Sequence, residues 1–216
     1  KVFFEGINYA IDDLLHSGYV TYGDDISTYL EKIADKLLKK DNKSRSELRF
    51  YTLKSNSVNA FSTEQGIVFV TTGLISQVTS EAQIAYILAH EIAHYLEHHV
   101  IESFSYKTNS RRKSIEQMSV YSKDKELEAD MKGLEMYKAA GYSKDEIIPT
   151  FDVLMYSYLP FDEIDISLSY FQHSDSLFLP PSLFPEKKYE IKAVEDEDDS
   201  QSTHPNIKTR KEAITE

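Results

Sequence analysis

The chain has 216 residues, no cysteine and a formal net charge of −12, and each of these properties excludes a class of protein or site. Without cysteine there are no disulfides, thiolate zinc sites or cysteine nucleophiles, so any metal must be held by histidine and carboxylate. The negative charge opposes binding to nucleic acid and to acidic membrane surfaces. No apolar run approaches the roughly 20 residues that cross a bilayer, and we expect one soluble domain over residues 1–216.

The N-terminal region, residues 1–45, is predicted to be mostly helical. Over Ile7–Lys40 apolar residues recur at helical spacing, and Leu30, Ile33 and Leu37 fall on one face of an amphipathic helix.

Three short segments after this region are predicted to be strands. They are rich in β-branched and aromatic residues and are separated by Asn, Ser and Gly. The segments are Leu48–Leu53, Val58–Ser62 and Ile67–Thr71. Together they predict a small antiparallel sheet.

Two long helices are predicted next, and with the sheet they make up residues 46–141. The first begins at Thr79–Ser80, where the serine hydroxyl and a glutamine three residues on can cap the helix, and it is predicted to run to about Tyr106. The second is predicted over about Lys113–Ala140, with Gly141 as its C-cap.

The signals weaken over residues 142–203. Asp145–Leu159 is predicted to be helical, whereas Pro160–Pro185 mixes aromatic residues with proline and serine and has no period. We expect an irregular excursion there and a solvated surface at the acidic run Glu195–Asp199. Residues 204–216 carry a His-Pro pair and a C-terminal tail.

The segment from His90 to His94 is an H-E-x-x-H motif inside the first long helix. A step of four residues turns about 400° and rises about 6 Å, so both imidazoles can face one metal. Catalytic zinc needs three protein ligands and an open fourth position, and the motif supplies two. Glu91 lies about 100° from His90 around the helix, where its carboxylate can act on water as a general base. The motif alone is equally compatible with a chance polar stripe.

The second long helix supplies a candidate for the third ligand. Glu126 and Asp130 are four residues apart and share a face. Glu126 can therefore bind the metal while Asp130 accepts a hydrogen bond from a ligating imidazole and fixes its tautomer. Gly133, three residues further, would let the two helices approach closely.

These residues together resemble the gluzincin metallopeptidase family that contains the bacterial membrane peptidase HtpX, the CAAX prenyl endopeptidases and periplasmic peptidases linked to outer-membrane quality control. The resemblance implies an α+β, zincin-like fold that is mostly helical, with a small antiparallel sheet over the H-E-x-x-H helix and one zinc per chain. The matching blocks are Asn59-Ala60-Phe61-Ser62 with Gly66 and Gly73-Leu74, the H-E-x-x-H motif with a further His99, Glu126 with Asp130 and Gly133, and His204-Pro205 with Arg210.

The resemblance also implies roles for single residues. Glu126, rather than the neighbouring Glu128, is the implied third zinc ligand, and we expect Glu128 to be a surface carboxylate. The strand edge at Asn59, Ala60 and Phe61 is implied to pair with extended substrate backbone, although a plain core strand is the alternative.

His204 is implied to reach either the metal or the oxyanion, and Arg210 to anchor that loop by an ion pair. As a fourth ligand His204 would displace the catalytic water and act as a switch, which is the role we favour, whereas as an oxyanion donor it would assist the reaction. His98 and His99 are expected to be hydrogen-bonded or solvated, because His98 would lie about 12 Å from His90 on a continuous helix.

The sequence therefore predicts a zinc metalloendopeptidase that hydrolyses extended or misfolded polypeptides, in envelope protein quality control. The lack of spanning segments favours the soluble, periplasmic branch, and we expect an exported protein whose targeting or anchoring segment lies outside this chain. A C-terminal repeat domain or a partner that lies outside this chain is also compatible with the sequence. The competing interpretation is a latent or non-catalytic module that binds unfolded chains, although an intact Glu91 argues against it. A structural zinc site is disfavoured because such sites are closed and usually thiolate-rich.

Overall fold

A computed structural model describes residues 2–99, 115–157, 204 and 206–215. Over these residues the chain is mostly helical, with one small sheet and a 3₁₀ turn at Lys144–Glu146. In chain order the elements are α1 (Val2–His16), β1 (Val20–Thr21), α2 (Asp25–Leu37), α3 (Asn42–Glu47), β2 (Arg49–Leu53), β3 (Ala60–Ser62), β4 (Ile67–Thr71), α4 (Thr72–Gln77), α5 (Glu81–Leu96), α6 (Ile115–Ala139), α7 (Ile147–Met155) and α8 (Ile207–Thr215).

The sheet is mixed, with strand order β1-β2-β4-β3. The predicted α+β class and the small sheet are confirmed, but the prediction that the sheet is antiparallel is wrong. β3 folds back on β4 as an antiparallel hairpin, and β4 then runs parallel to β2, with Phe50 opposite Val68. The apolar run of β4 from Ile67 to Val70 is typical of a strand that has neighbours on both sides and is covered on both faces.

The N-terminal region is mostly helical, as predicted. It contains two helices separated by the short strand β1, which pairs antiparallel with β2. The polar stretch after α2 contains the short helix α3, which begins where the Asp41 side chain accepts a hydrogen bond from the backbone nitrogen of Ser44. Local capping by a single aspartate therefore creates a turn of helix that has no apolar face.

Helix α5 runs through the centre of the molecule, and every residue from Gln83 to His94 is buried. The predicted N-cap is confirmed, because Ser80 Oγ accepts from the backbone nitrogen of Gln83 and Gln83 Oε1 accepts from that of Thr79. α5 packs mainly against α6 and also contacts β3, α2 and α7. A Cβ atom at Gly133 would lie 2.9 Å from the backbone nitrogen of His90, so the predicted close approach of the two helices requires glycine.

The ends of the two long helices differ in how well they were predicted. Gly141, with a φ of 87°, follows α6 as expected. α5 was predicted to reach Tyr106 but ends at Leu96, because His98 adopts a left-handed φ of 54°. Residues 100–106 lie outside the described residues.

The helix predicted over residues 145–159 is present as the 3₁₀ turn and α7. The irregular segment predicted at residues 160–185 and the acidic run at residues 195–199 lie outside the described residues, as does Pro205. Among the helices that the structure describes, none combines the length and apolar character needed to cross a membrane. The division of residues 1–216 into four regions of one domain stays a prediction.

Candidate metal centre

Four side chains from three parts of the fold converge on one point. His90 and His94 lie one turn apart on α5, Glu126 lies on α6, and His204 lies shortly before α8. Each offers one ligand atom, and these atoms lie within 4.8 Å of one another. The first three residues are buried and His204 is partly buried.

The distances within this cluster fit a small cation. His90 Nε2 lies 2.9 Å from His94 Nε2, and Glu126 places one oxygen 3.5 Å from His90 Nε2 and the other 3.3 Å from His94 Nε2. Zinc–ligand bonds of 2.0–2.1 Å in a tetrahedron place neighbouring donors roughly 3.3 Å apart. Two imidazole nitrogens and a carboxylate at such separations form a donor set that suits zinc.

Asp130 determines which nitrogen of His90 faces the cluster. Its Oδ1 lies 2.8 Å from His90 Nδ1, so the imidazole donates from Nδ1 and keeps the lone pair of Nε2 for a metal. Burial alone would lower the pKa of His90, but the Asp130 carboxylate outweighs burial and raises it to about 9. The ring is therefore a more basic ligand.

Arg210 holds Asp130 in place with two hydrogen bonds, from Nε at 2.6 Å and from Nη2 at 2.7 Å. Burial would raise the pKa of Asp130, but Arg210 and His90 lower it to about 2. Arg210 Nη1 also lies 2.8 Å from Glu126 Oε2. The predicted loop anchor is thus a buried guanidinium that contacts two carboxylates of the site and lies 3.4 Å from the carbonyl oxygen of His204.

The structure places Glu126, and not Glu128, next to His90 and His94. Burial would raise the pKa of Glu126, but its contacts with His204 and the other histidines hold the pKa far below the usual range, so the carboxylate is charged. Glu128 is about 40% exposed and accepts a hydrogen bond from Lys125. Among the described residues, its contact with the site is with His99, whose Nε2 lies 3.4 Å from Glu128 Oε2.

His204 lies between the candidate base and the strand edge. Its Nε2 is 3.3 Å from Glu91 Oε1 and 3.3 Å from the carbonyl oxygen of Ala60, while its Nδ1 is 3.1 Å from Glu126 Oε2. Burial would lower the pKa of His204, but the charges of Glu91 and Glu126 raise it. The residue therefore contacts the candidate base, a candidate metal ligand and the strand edge.

Only part of the strand edge that is implied to bind substrate faces this site. An open cleft is lined by Asn59, Ala60, Glu91 and His204. Phe61 alternates to the other face of β3, where its ring packs 5.1 Å from that of Phe69 between centroids. The side chain of Phe61 therefore packs on the sheet, and only the backbone of this residue is available at the strand edge.

Sequence reasoning missed the contact that His99 makes. His99 is hydrogen-bonded, as expected, but its partner was not predicted: its Nδ1 lies 2.9 Å from His94 Nδ1. His98 is exposed and its Nδ1 lies 3.1 Å from Glu64 Oε2, as that expectation allowed. The sequence offered two signals, the family resemblance that includes His99 and its spacing of five residues from His94, and the spacing is informative only if the helix ends between the two residues.

Comparison with known proteins shows that part of this chain is similar to a family of peptidases. Residues 25–118 match Peptidase family M48. A putative beta-barrel assembly-enhancing protease of Vibrio cholerae is 28% identical over 78 residues, and the beta-barrel assembly-enhancing protease of Yersinia pestis is 25% identical over 93 residues. The mitochondrial metalloendopeptidase OMA1 of Bos taurus is 42% identical over 55 residues. The predicted resemblance to these metallopeptidases is confirmed.

These matches cover a limited part of each protein. They span 36%, 43% and 26% of this chain, and 16%, 19% and 10% of the three relatives. The family match includes β2, β3, β4 and the H-E-x-x-H motif but ends before Glu126. The roles of Glu126, His204 and Arg210 in this chain therefore depend on the geometry of the site.

Proposed function

Because this chain is a relative of the M48 metallopeptidases, we propose that it is a zinc-dependent endopeptidase that binds one zinc through His90, His94 and Glu126. The observation that carries the proposal is the convergence of two imidazole Nε2 atoms and a carboxylate on one point. A further buried carboxylate, Glu91, follows His90 directly on the same helix. A zincin-like arrangement of this helix and the edge strand is part of the proposal.

Each residue of the chain then has a defined part in peptide hydrolysis. The chemistry that a bound zinc supplies is Lewis acidity, which polarises the scissile carbonyl and makes water more acidic. Glu91 takes a proton from the attacking water and returns it to the leaving amine. Asp130, held by Arg210, keeps the proton of His90 on Nδ1 so that Nε2 faces the metal.

An extended polypeptide suits the cleft. β3 is an edge strand, so a substrate backbone can pair with it through main-chain hydrogen bonds, and Asn59 and Ala60 line the adjoining space. The remaining wall is mostly apolar and favours an apolar substrate side chain. Its apolar residues are Val58, Ile87, Leu154 and Ile207.

The names of two relatives suggest a setting. Both are called beta-barrel assembly-enhancing proteases. We extend this by proposing that the chain acts in an exported, periplasmic compartment on misfolded polypeptides of the envelope.

The proposal is tested by incubating the purified chain with unfolded casein at equal protein concentrations, with zinc or with a zinc chelator. We expect fragments only in the zinc sample, and their reappearance when zinc is restored to the chelated sample. Equal cleavage with and without chelator would overturn the zinc-dependent mechanism.

A second candidate function is a latent module that binds unfolded chains. The position of His204 favours it, because this side chain contacts Glu91 and the carbonyl oxygen of Ala60, the groups that would otherwise meet water and substrate. Binding of casein without cleavage, in a zinc-loaded sample, would support latency over hydrolysis.

A further inference from the structure

The end of α5 places a histidine where a continuous helix would not. His98 adopts a φ of 54°, in the left-handed region that residues other than glycine seldom occupy. Such a backbone persists only where the surrounding structure favours it, and it is often found at functional sites. Here the exposed ring of His98 lies 3.1 Å from Glu64, while the next residue is buried.

The left-handed residue redirects His99 beneath the metal-facing side of α5. In an unbroken helix a residue five positions after His94 would point about 140° away from it around the axis. Instead His99 is 2% exposed and its Nδ1 lies 2.9 Å from Nδ1 of His94. The early end of the helix thus converts a residue on the far side into a direct neighbour of the candidate ligand.

The contact determines where the protons lie. A histidine that binds metal through Nε2 carries its proton on Nδ1 and donates it to a neighbour. His99 Nδ1 can accept only if the proton of His99 is on Nε2, and that nitrogen lies 3.4 Å from Glu128 Oε2. The direction of donation is therefore from His94 to His99, and the charge of the nearby Glu128 carboxylate favours the His99 tautomer that carries its proton on Nε2.

We propose that His99 is the positioning residue for His94, fixing its tautomer and ring orientation as Asp130 does for His90, and that the left-handed backbone of His98 exists to place it. This inference rests on the zinc centre proposed above. Glu128 supports the far side of His99 from a half-exposed position, so its share is smaller.

The test compares two replacements of similar shape in the full chain, His99→Asn and His99→Leu. The amide oxygen of asparagine can occupy nearly the position of Nδ1 and accept the proton of His94, whereas leucine cannot. Loss of an outer hydrogen-bond partner typically costs 10–100-fold in metal affinity, so we expect a loss of about that size for His99→Leu and less than about threefold for His99→Asn. Zinc affinity is measured by competition with a chromophoric chelator, and circular dichroism of the metal-free proteins checks that both variants are folded.

The backbone part is tested with His98→Gly and His98→Val, which both lose the contact with Glu64. Glycine adopts a positive φ without cost, whereas a β-branched residue does so only with strain. We expect unchanged zinc affinity for His98→Gly and a weakened affinity for His98→Val, although neither side chain is near the metal.

The controls separate this inference from the zinc centre itself. If His94→Ala binds zinc as tightly as the wild type, the proposed centre is wrong and the positioning role is wrong with it. If His94→Ala loses zinc but folded His99→Leu keeps wild-type affinity, the centre stands and the role of His99 is overturned. Equal losses for His99→Asn and His99→Leu would also contradict it, since the acceptor would then not matter.

Discussion

At the scale of single residues, Glu91 is the side chain whose role depends most on chemistry and least on packing. Glu91→Gln keeps nearly the same shape but cannot accept a proton from water. We expect zinc content and fold to be preserved and kcat to fall by about 10²–10⁴. Casein turnover and zinc stoichiometry of the purified variant are the measurements. Glu97→Gln, beyond the end of the same helix, is the matched control and should keep its rate, whereas an active Glu91→Gln would contradict the general-base role.

The choice between two neighbouring glutamates gives a second prediction for single residues. Glu126 contacts both histidines of α5, whereas Glu128 contacts Lys125 and His99. We expect Glu126→Ala to lower zinc affinity by more than the 10–100-fold typical of outer partners, and Glu128→Ala to lower it by less than that. Chelator competition on both variants measures this. The reverse order would mean that the ligand assignment is wrong by two residues.

His204 allows two roles that predict opposite signs. In the structure its ring lies against Glu91, Glu126 and the carbonyl of Ala60, so it covers the groups that water and substrate must reach. We expect His204→Ala to raise the casein cleavage rate severalfold at equal zinc loading. Without the His204 ring over these groups, a larger fraction of the molecules is in the state that can bind water and substrate. A loss of about 10²–10³ in kcat would instead indicate an oxyanion donor, and an unchanged rate would contradict both roles.

At the scale of elements, local signals predicted more than pairing did. The limits of β4 were predicted to the residue, because its run of β-branched and aromatic residues is bounded by Gly66 and by Thr71, which caps the next helix. The parallel pairing of β4 with β2 was not predicted, since strand direction depends on how β3 turns back at the edge. A pattern of residues along one strand carries no information about that turn.

In the site, too, local geometry was predicted better than the contacts between distant residues. The relation of His90, His94 and Glu91 follows from helix geometry alone, and the i to i+4 spacing of Glu126 and Asp130 suggested their separate roles before the structure placed them. The position of His99 was not predicted, because the helix ends at a left-handed histidine rather than at the glycine or asparagine that usually marks such an end.

The first turn of α2 yields a prediction about pH. Asp24 accepts hydrogen bonds from the backbone nitrogen and hydroxyl of Ser27 and from the hydroxyls of Thr21 and Thr52, which ties α2 to β1 and β2. Burial would raise the pKa of Asp24, but these hydrogen bonds lower it well below its usual range. The carboxylate therefore stabilises the fold fully above its unfolded pKa of about 4, and this contribution is lost as the pH falls below it.

We accordingly expect Asp24→Ala to lower the free energy of unfolding by about 1–2 kcal/mol at pH 7, as loss of a helix cap does. The difference from the wild type should shrink as the pH falls below about 4. Urea denaturation at several pH values measures it. Asp25→Ala, an exposed neighbour, removes the same charge and should change stability by less than about 0.5 kcal/mol, so equal effects of the two variants would contradict the capping role.

At the scale of the whole molecule, the site concentrates charge where α5, α6 and α8 meet. Among the described residues, three buried carboxylates lie there, those of Glu91, Glu126 and Asp130, together with one buried guanidinium, that of Arg210. As metal ligands the histidines are neutral, and these groups then carry a net charge of −2, whereas without a metal the raised pKa of His90 lets a proton balance part of this charge. A bound divalent cation would bring the sum to zero, so the metal is expected to be a structural partner of all three helices as well as a reagent.

Zinc should therefore raise the thermal stability of the chain. Free zinc at 100 times its dissociation constant stabilises the native state by about 2.7 kcal/mol, and a domain of this size gains about 2–4 °C in Tm per kcal/mol, so we expect a rise of roughly 5–10 °C. Differential scanning calorimetry with zinc and with chelator measures it. His94→Ala should show no zinc-dependent rise, whereas Glu91→Gln should retain one, because it keeps all three proposed ligands. Equal Tm values for the wild type with zinc and with chelator would mean that the buried charges are balanced without a metal.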